Sequence, residues 1–148
     1  MRITPATAED IPALAQLLGI LFSQEQEFVP DARLQEKGLA AILANPANGV
    51  IFVARDKDRI LGMANLIYNI STALGGPVGT VEDVIVHPDF RGRGVGSAII
   101  RKALDHADST GLLRISLLAD LSNERALKFY HSLGFTRSDM LTLRRFPA

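Results

Sequence analysis

Val84-Ile85-Val86-His87-Pro88-Asp89-Phe90-Arg91-Gly92-Arg93-Gly94-Val95-Gly96-Ser97 is the stretch on which the reading of this chain turns. The β-branched run over residues 80–86 predicts a strand, and His87-Pro88-Asp89 predicts its end. Val95, Ile99, Ala103 and Ala107 are spaced as the buried stripe of a helix that begins near Arg93 or Gly94 and closes at Gly111. Gly92, Gly94 and Gly96 therefore alternate where that helix starts. The first turn of a helix carries backbone N–H groups with no intrahelical partner, and the dipole adds positive potential there. Missing side chains let an anion approach those groups closely. Arg91 and Arg93 add charge, so a phosphate or pyrophosphate is the natural guest. Two glycines would suit a tight turn alone. Three in alternation, flanked by two arginines, favour the anion.

The type of phosphate site follows by comparison of spacings. A P-loop needs Lys and Ser/Thr after its second glycine, and that pattern is missing. A dinucleotide fingerprint needs Gly-x-Gly-x-x-Gly on the first strand of its unit, whereas these glycines fall at alternate positions deep in the chain. Asp120, after the next strand, could imitate the ribose-binding acid, but the glycine spacing fails.

Outward from the turn, the chain reads as one domain over residues 1–148, with no repeat, linker or low-complexity tract. A short strand over residues 2–5 precedes a helix capped at Thr7 and running to about Leu21, and Asp31 caps a second helix over residues 32–44. Two strands over residues 50–55 and 60–70 form an antiparallel hairpin. Residues 71–79, rich in glycine, predict a loop that could serve as a lid. After the phosphate turn and its helix come a strand over residues 114–118, a helix over residues 124–133, and one or two closing strands within residues 136–146. That order predicts a mixed α/β (α+β) sheet with helices on both faces.

Composition narrows the partners. The 148 residues hold 16 basic and 16 acidic side chains. A neutral chain lacks the footprint of a nucleic-acid binder. No cysteine is present, which excludes a disulfide framework, a thiolate metal site and a cysteine nucleophile. His87, His106 and His131 lack ligand spacing, so no metal site is expected. No apolar run reaches membrane-span length, and the amino terminus does not read as a secretory signal. The expectation is a soluble, cytoplasmic protein.

Two segments carry a family resemblance. Arg91-x-x-Gly94-x-Gly96 after a strand and Pro88 resembles the first signature motif of the GNAT superfamily of N-acetyltransferases. Asn123-Glu124-Arg125-Ala126-Leu127-Lys128-Phe129-Tyr130-His131-Ser132-Leu133-Gly134-Phe135 resembles its second. The two stand in family order with a helix and a strand between them, and the resemblance covers essentially the whole chain. It implies a mostly antiparallel sheet of six to seven strands, with the fourth and fifth parallel and splayed apart around acetyl-CoA. It implies acetyl transfer to a small-molecule or peptide amine by direct attack in a ternary complex. A non-catalytic acyl-CoA sensor is the alternative. Pairing into a homodimer through sheet edges or the closing strands is common in such proteins.

The resemblance also assigns residues. The backbone of Val84, Ile85 and Val86 would meet the pantetheine arm and the acetyl oxygen. Arg91, Gly92, Arg93, Gly94, Val95, Gly96 and Ser97 would hold the pyrophosphate. Asn123 would bond the pantetheine amides, unless it serves only as a helix cap. Tyr130 would touch the cofactor and protonate the departing thiolate, unless its ring merely packs beside Phe129. Strand alternation places Glu82 on one face with Val84 and Val86 and turns Asp83 to the other. Burial there would raise the Glu82 carboxyl toward the range of a general base, with Asp83 in reserve and pairing with an arginine as the plainer role. The acceptor amine would lie by the connection between the first two helices, near Phe22, Glu25, Phe28, Tyr68 and Glu82.

Overall fold

A computed structural model describes every residue except Gln26. Two compact units are present, Met1–Leu118 and Ala119–Ala148.

The first unit is built on a five-stranded sheet in the order β1 (Arg2–Pro5), β2 (Gly49–Asp56), β3 (Arg59–Ser71), β4 (Gly76–Val86) and β5 (Ile115–Leu117). The first four pair antiparallel, and β4 pairs with β5 in parallel. On one face lie α1 (Ile11–Gln24) and α2 (Ala32–Ala44). Leu14, Leu17 and Leu18 of α1 and Leu39 of α2 are buried with Ile51, Val53, Met63 and Ile85 of the sheet. Alternation sends Phe52 to the opposite face, where α3 (Val95–Thr110) buries Ile99, Ile100 and Ala103 and sets His106 edge-on to the Phe52 ring at 5.4 Å.

Polar residues fix how these helices enter. Asp10 accepts from Thr7 N–H at 2.8 Å and from the two terminal guanidinium nitrogens of Arg55, which ties the start of α1 to β2. Asp31 caps α2 by accepting from Arg33 and Leu34 N–H. Buried Gln35 donates to Ala15 O of α1 and accepts from Asp31 N–H at 2.9 Å.

The second unit contains α4 (Glu124–Ser132), capped by Asn123 Oδ1 accepting from Ala126 N–H at 3.1 Å. Tyr130 packs against Phe129 and Phe135, with ring centroids 5.1 and 5.9 Å away.

Three sequence expectations are corrected. The sheet has five strands among the described residues, not six or seven. No strand forms over residues 136–146, where Met140, Leu141, Leu143 and Phe146 are each more than 80% exposed. These side chains stand in water and bury no apolar face that would hold a strand. The glycine-rich lid also disappears: only residues 72–75 turn, and Gly76 onward is β4, paired with β3 from Ser71↔Gly76 to Tyr68↔Gly79. Gly79 is a close-packing residue rather than a loop residue, since a Cβ there would lie 2.7 Å from a Leu66 methyl and 3.0 Å from an Ile115 methyl.

Candidate active site

β4 is where the site begins. Its pairing with β5 covers only Gly79↔Ile115, Thr80↔Ser116 and Val81↔Leu117. Five more residues, Glu82 to Val86, continue along β3 with no β5 partner among the described residues. His87 N–H donates to Leu61 O at 2.8 Å, so alternation turns the Ile85 backbone toward β3 and presents the backbone of Val84 and Val86 at the open edge. Arg91 Nε donates to Val86 O at 3.0 Å, and this bond folds the following turn back onto the strand.

That turn is a 3₁₀ segment, Pro88–Phe90, leading into α3. Gly92 and Gly94 take φ of 74° and 79°, a left-handed conformation that favours glycine. The first helical bond of α3 runs from Ala98 N–H to Gly94 O at 3.0 Å, and no side chain caps this end. The N–H groups of Val95, Gly96 and Ser97 precede that bond and point out of the helix. A Cβ at Gly92 or Gly94 would meet nothing within 4 Å, so the space before the helix is open. Arg93 lies over the Phe90 ring at 5.7 Å, and Ser97 Oγ accepts from Arg101. Open space, free backbone donors and two arginines suit a diphosphate.

On the α1/α2 face a pocket of about 300 Å³ abuts the same strand. Its walls include Leu18, Phe22, Phe28, Leu34 and Ile42, and its floor holds Asn65, Glu82 and Asp83. Here the strand departs from simple alternation. Asn65 pairs with Glu82 but Met63 pairs with Ile85, so two residues of β4, Asp83 and Val84, bulge opposite Ala64. Asp83 sits at φ 55° in that bulge. The consequence reverses the expected burial of the two acids: Glu82 is exposed and Asp83 is half-buried. Asn65 Nδ2 donates to Asp83 Oδ2 at 2.7 Å. Burial foremost, then the negative charge of Glu82, push the Asp83 carboxyl up to about 6, against the lowering effect of the Asn65 bond, and the charge of Glu25 pushes the same way.

The other expected site residues fall as follows. Phe22 and Phe28 line the pocket together, with ring centroids 5.3 Å apart. Glu25 ends α1 and reaches Asp83 through its charge without lining the pocket, and Gln26 lies outside the described residues. Tyr68 is not brought there: it lines a separate cleft on the α3 face and hydrogen-bonds His106 Nε2 at 2.7 Å. Alternation along β3 separates it from Asn65. In the second unit, Asn123 Oδ1 is engaged as the cap of α4, and burial pushes the half-buried Tyr130 phenol up. Asn65 escaped the sequence reading. Its signal was a lone amide within the apolar run Ile60-Leu61-Gly62-Met63-Ala64-Asn65-Leu66-Ile67.

An opened parallel strand pair and an uncapped, glycine-entered helix thus stand beside an acid-floored pocket. The sequence profile of the Acetyltransferase (GNAT) family matches residues 14–135, and the chain belongs to that family. It is 37% identical over 86 residues to the glucosamine 6-phosphate N-acetyltransferase of Trypanosoma brucei brucei, covering 57% of this chain and 56% of that one. It is 45% identical over 62 residues to the mycothiol acetyltransferase of Thermobispora bispora, covering 42% of this chain and 21% of that one. The matched stretch thus spans about half or less of these relatives' lengths. Among solved structures, an acetyltransferase of Trypanosoma brucei superposes with a TM-score of 0.77 at 28% identity, covering 98% of this chain and 99% of that one. No helix among the described residues is long and apolar enough to cross a membrane.

Proposed function

We propose that the chain transfers an acetyl group from acetyl-CoA to a primary amine by direct attack in a ternary complex. The observation that carries this is the open edge of β4, which joins the uncapped N-terminus of α3 to the acid-floored pocket. The family match supports it. Acetyl-CoA supplies the activated thioester. Val95, Gly96 and Ser97 N–H, with Arg91 and Arg93, hold its diphosphate, and Gly92 and Gly94 keep the approach clear. Backbone N–H on the open edge, from Val84 or Val86, stabilises charge building on the acetyl oxygen, a contribution of about 3 kcal/mol in comparable sites.

The acceptor arrives as an ammonium and must lose a proton before it attacks. Asp83 is the better placed acid for this, because it is partly desolvated and held by Asn65 while Glu82 is in water. Glu82 draws the cation to the pocket and holds the Asp83 carboxyl high. Attack forms the C–N bond and breaks the C–S bond, and the thiolate takes up a proton, a role for which the family resemblance nominates Tyr130, its phenol pushed up by burial. The family resemblance nominates Asn123 for the pantetheine, and its capping role uses only the amide oxygen.

The test is thiol release from acetyl-CoA across a panel of amines, beside calorimetry with CoA. Turnover that falls in Asp83→Asn and Tyr130→Phe with CoA affinity intact supports the reading. Tight CoA binding with no turnover on any amine would leave a non-catalytic sensor.

A further inference from the structure

Asn65 is 3% exposed, and its Oδ1 has no hydrogen-bond partner. The amide orientation is set by its neighbour: an ionised carboxylate only accepts, so Nδ2 must face Asp83, as it does at 2.7 Å. Oδ1, on the same amide carbon, is left as a desolvated acceptor buried beside the α1/α2 pocket that Asn65 lines. A buried carbonyl oxygen without a donor is unfavourable, and a ligand N–H would relieve it. An ammonium entering this pocket has two acceptors to meet, the Asp83 carboxylate and, once it opens the packing over it, Asn65 Oδ1.

The rest of the pocket constrains what carries that ammonium. Phe22, Phe28, Leu18, Leu34 and Ile42 present apolar surface. The charged residues lining it are Asp31, Glu82 and Asp83, all acidic, and among the described residues no lysine, arginine or histidine lines it. A phosphate or carboxylate on the acceptor would enter a cleft with no cation to meet it and three like charges to repel it.

We propose that the acceptor is a primary amine on an aromatic or branched aliphatic body without any anionic group, its ammonium bonded jointly by Asn65 Oδ1 and Asp83, with Asn65 a specificity-determining residue. The proposal rests on the acetyl-transfer reading above and narrows the amine that reading leaves open.

The experiment compares acetylation of phenethylamine, of phenylalanine (the same body with a carboxylate) and of glucosamine 6-phosphate by the full chain, with CoA affinity measured separately. Phenethylamine is expected to exceed phenylalanine in kcat/KM by about 100-fold or more, because the pocket opposes an unpaired anion. Asn65→Leu is expected to raise KM for phenethylamine about tenfold with CoA affinity unchanged, since one hydrogen bond to the ammonium is lost. Leu34 is exposed on α2, so Leu34→Arg tests the charge argument without touching the core. It should bring phenylalanine to within about tenfold of phenethylamine by supplying the missing cation. Equal or better use of phenylalanine or glucosamine 6-phosphate by the unaltered chain, with CoA bound, overturns the proposal and leaves acetyl transfer standing. An unchanged KM in a CoA-binding Asn65→Leu protein would mean that water satisfies the oxygen and would overturn the role of Asn65. If CoA binds and no amine is acetylated, saturation-transfer NMR decides: no contact between phenethylamine and the protein overturns it. Absence of both CoA affinity and transfer sinks the underlying reading instead.

Discussion

Asp83 occupies a left-handed backbone conformation at φ 55°, which short polar side chains tolerate better than β-branched ones. The conformation has a use, since it turns the carboxyl onto Asn65 while the neighbouring Glu82 stays in water. A base whose pKa is raised to about 6 is largely ionised at neutral pH yet still basic enough to take a proton. Thus kcat/KM for the amine should rise with pH through about 6 and then level on this limb. Asp83→Asn keeps the shape and the tolerance of positive φ, so it should remove the limb and lower kcat by about 100-fold or more. Glu82→Gln removes the like charge and should move the limb to lower pH with the enzyme still active; an unmoved limb would assign it to another group. Gly94 offers a second residue-scale test. A Cβ there meets nothing, but at φ 79° any L side chain is strained by about 1–2 kcal/mol. Gly94→Ala should therefore lower stability by about that amount and weaken CoA binding, whereas calorimetry showing unaltered affinity would place the diphosphate elsewhere.

At the scale of elements, β4 does two things at once: it holds β3 along its length and leaves β5 after three residues. The second depends on the first being tight. A Cβ on Gly62 would lie 2.8 Å from Ile85 O and 3.1 Å from an Ile99 methyl. Gly62→Ala should cost about 1–3 kcal/mol by overpacking in urea unfolding, and should weaken CoA binding because the shift falls beside the open edge. The helices, the hairpin and the phosphate turn were legible in the sequence because each depends on local chemistry: Asp31 and Asn123 as caps, the period of Val95, Ile99, Ala103 and Ala107, and glycines at positive φ. The bulge at Asp83 was not legible. It inserts one residue into a strand whose alternation otherwise places Glu82 with Val84, and only the β3 register shows the slip. Long-range pairing likewise decides that residues 76–79 are strand rather than loop, whereas residues 136–146 bury no apolar face that would hold a strand.

At the scale of the whole molecule, the acid proposed as the base works against the fold. The Asp83 carboxyl titrates at about 6 in the folded chain, against 3.8 as the ordinary value. A folded value above the unfolded one means that the folded chain binds the proton more tightly. Folding is therefore penalised above pH 6, where both states are ionised, and the penalty fades as pH falls toward 3.8. At 1.36 kcal/mol per unit the full penalty is roughly 2–3 kcal/mol. Asp10 runs the other way. Its hydrogen bonds to Arg55 hold its carboxyl below 3.8, so its stabilisation is fully present above 3.8 and is lost only as pH falls through the depressed value. Between pH 7.5 and pH 5, then, Asp10 contributes a constant and Asp83 supplies the slope. Urea unfolding should show Asp83→Asn more stable than the parent at pH 7.5, with the gap narrowing by about 1–2 kcal/mol at pH 5. That outcome would show an active-site acid maintained at the expense of stability. Equal stabilities of the two proteins at pH 7.5 would mean that Asp83 is not desolvated in the folded state, and its role as the base would then lose its physical ground.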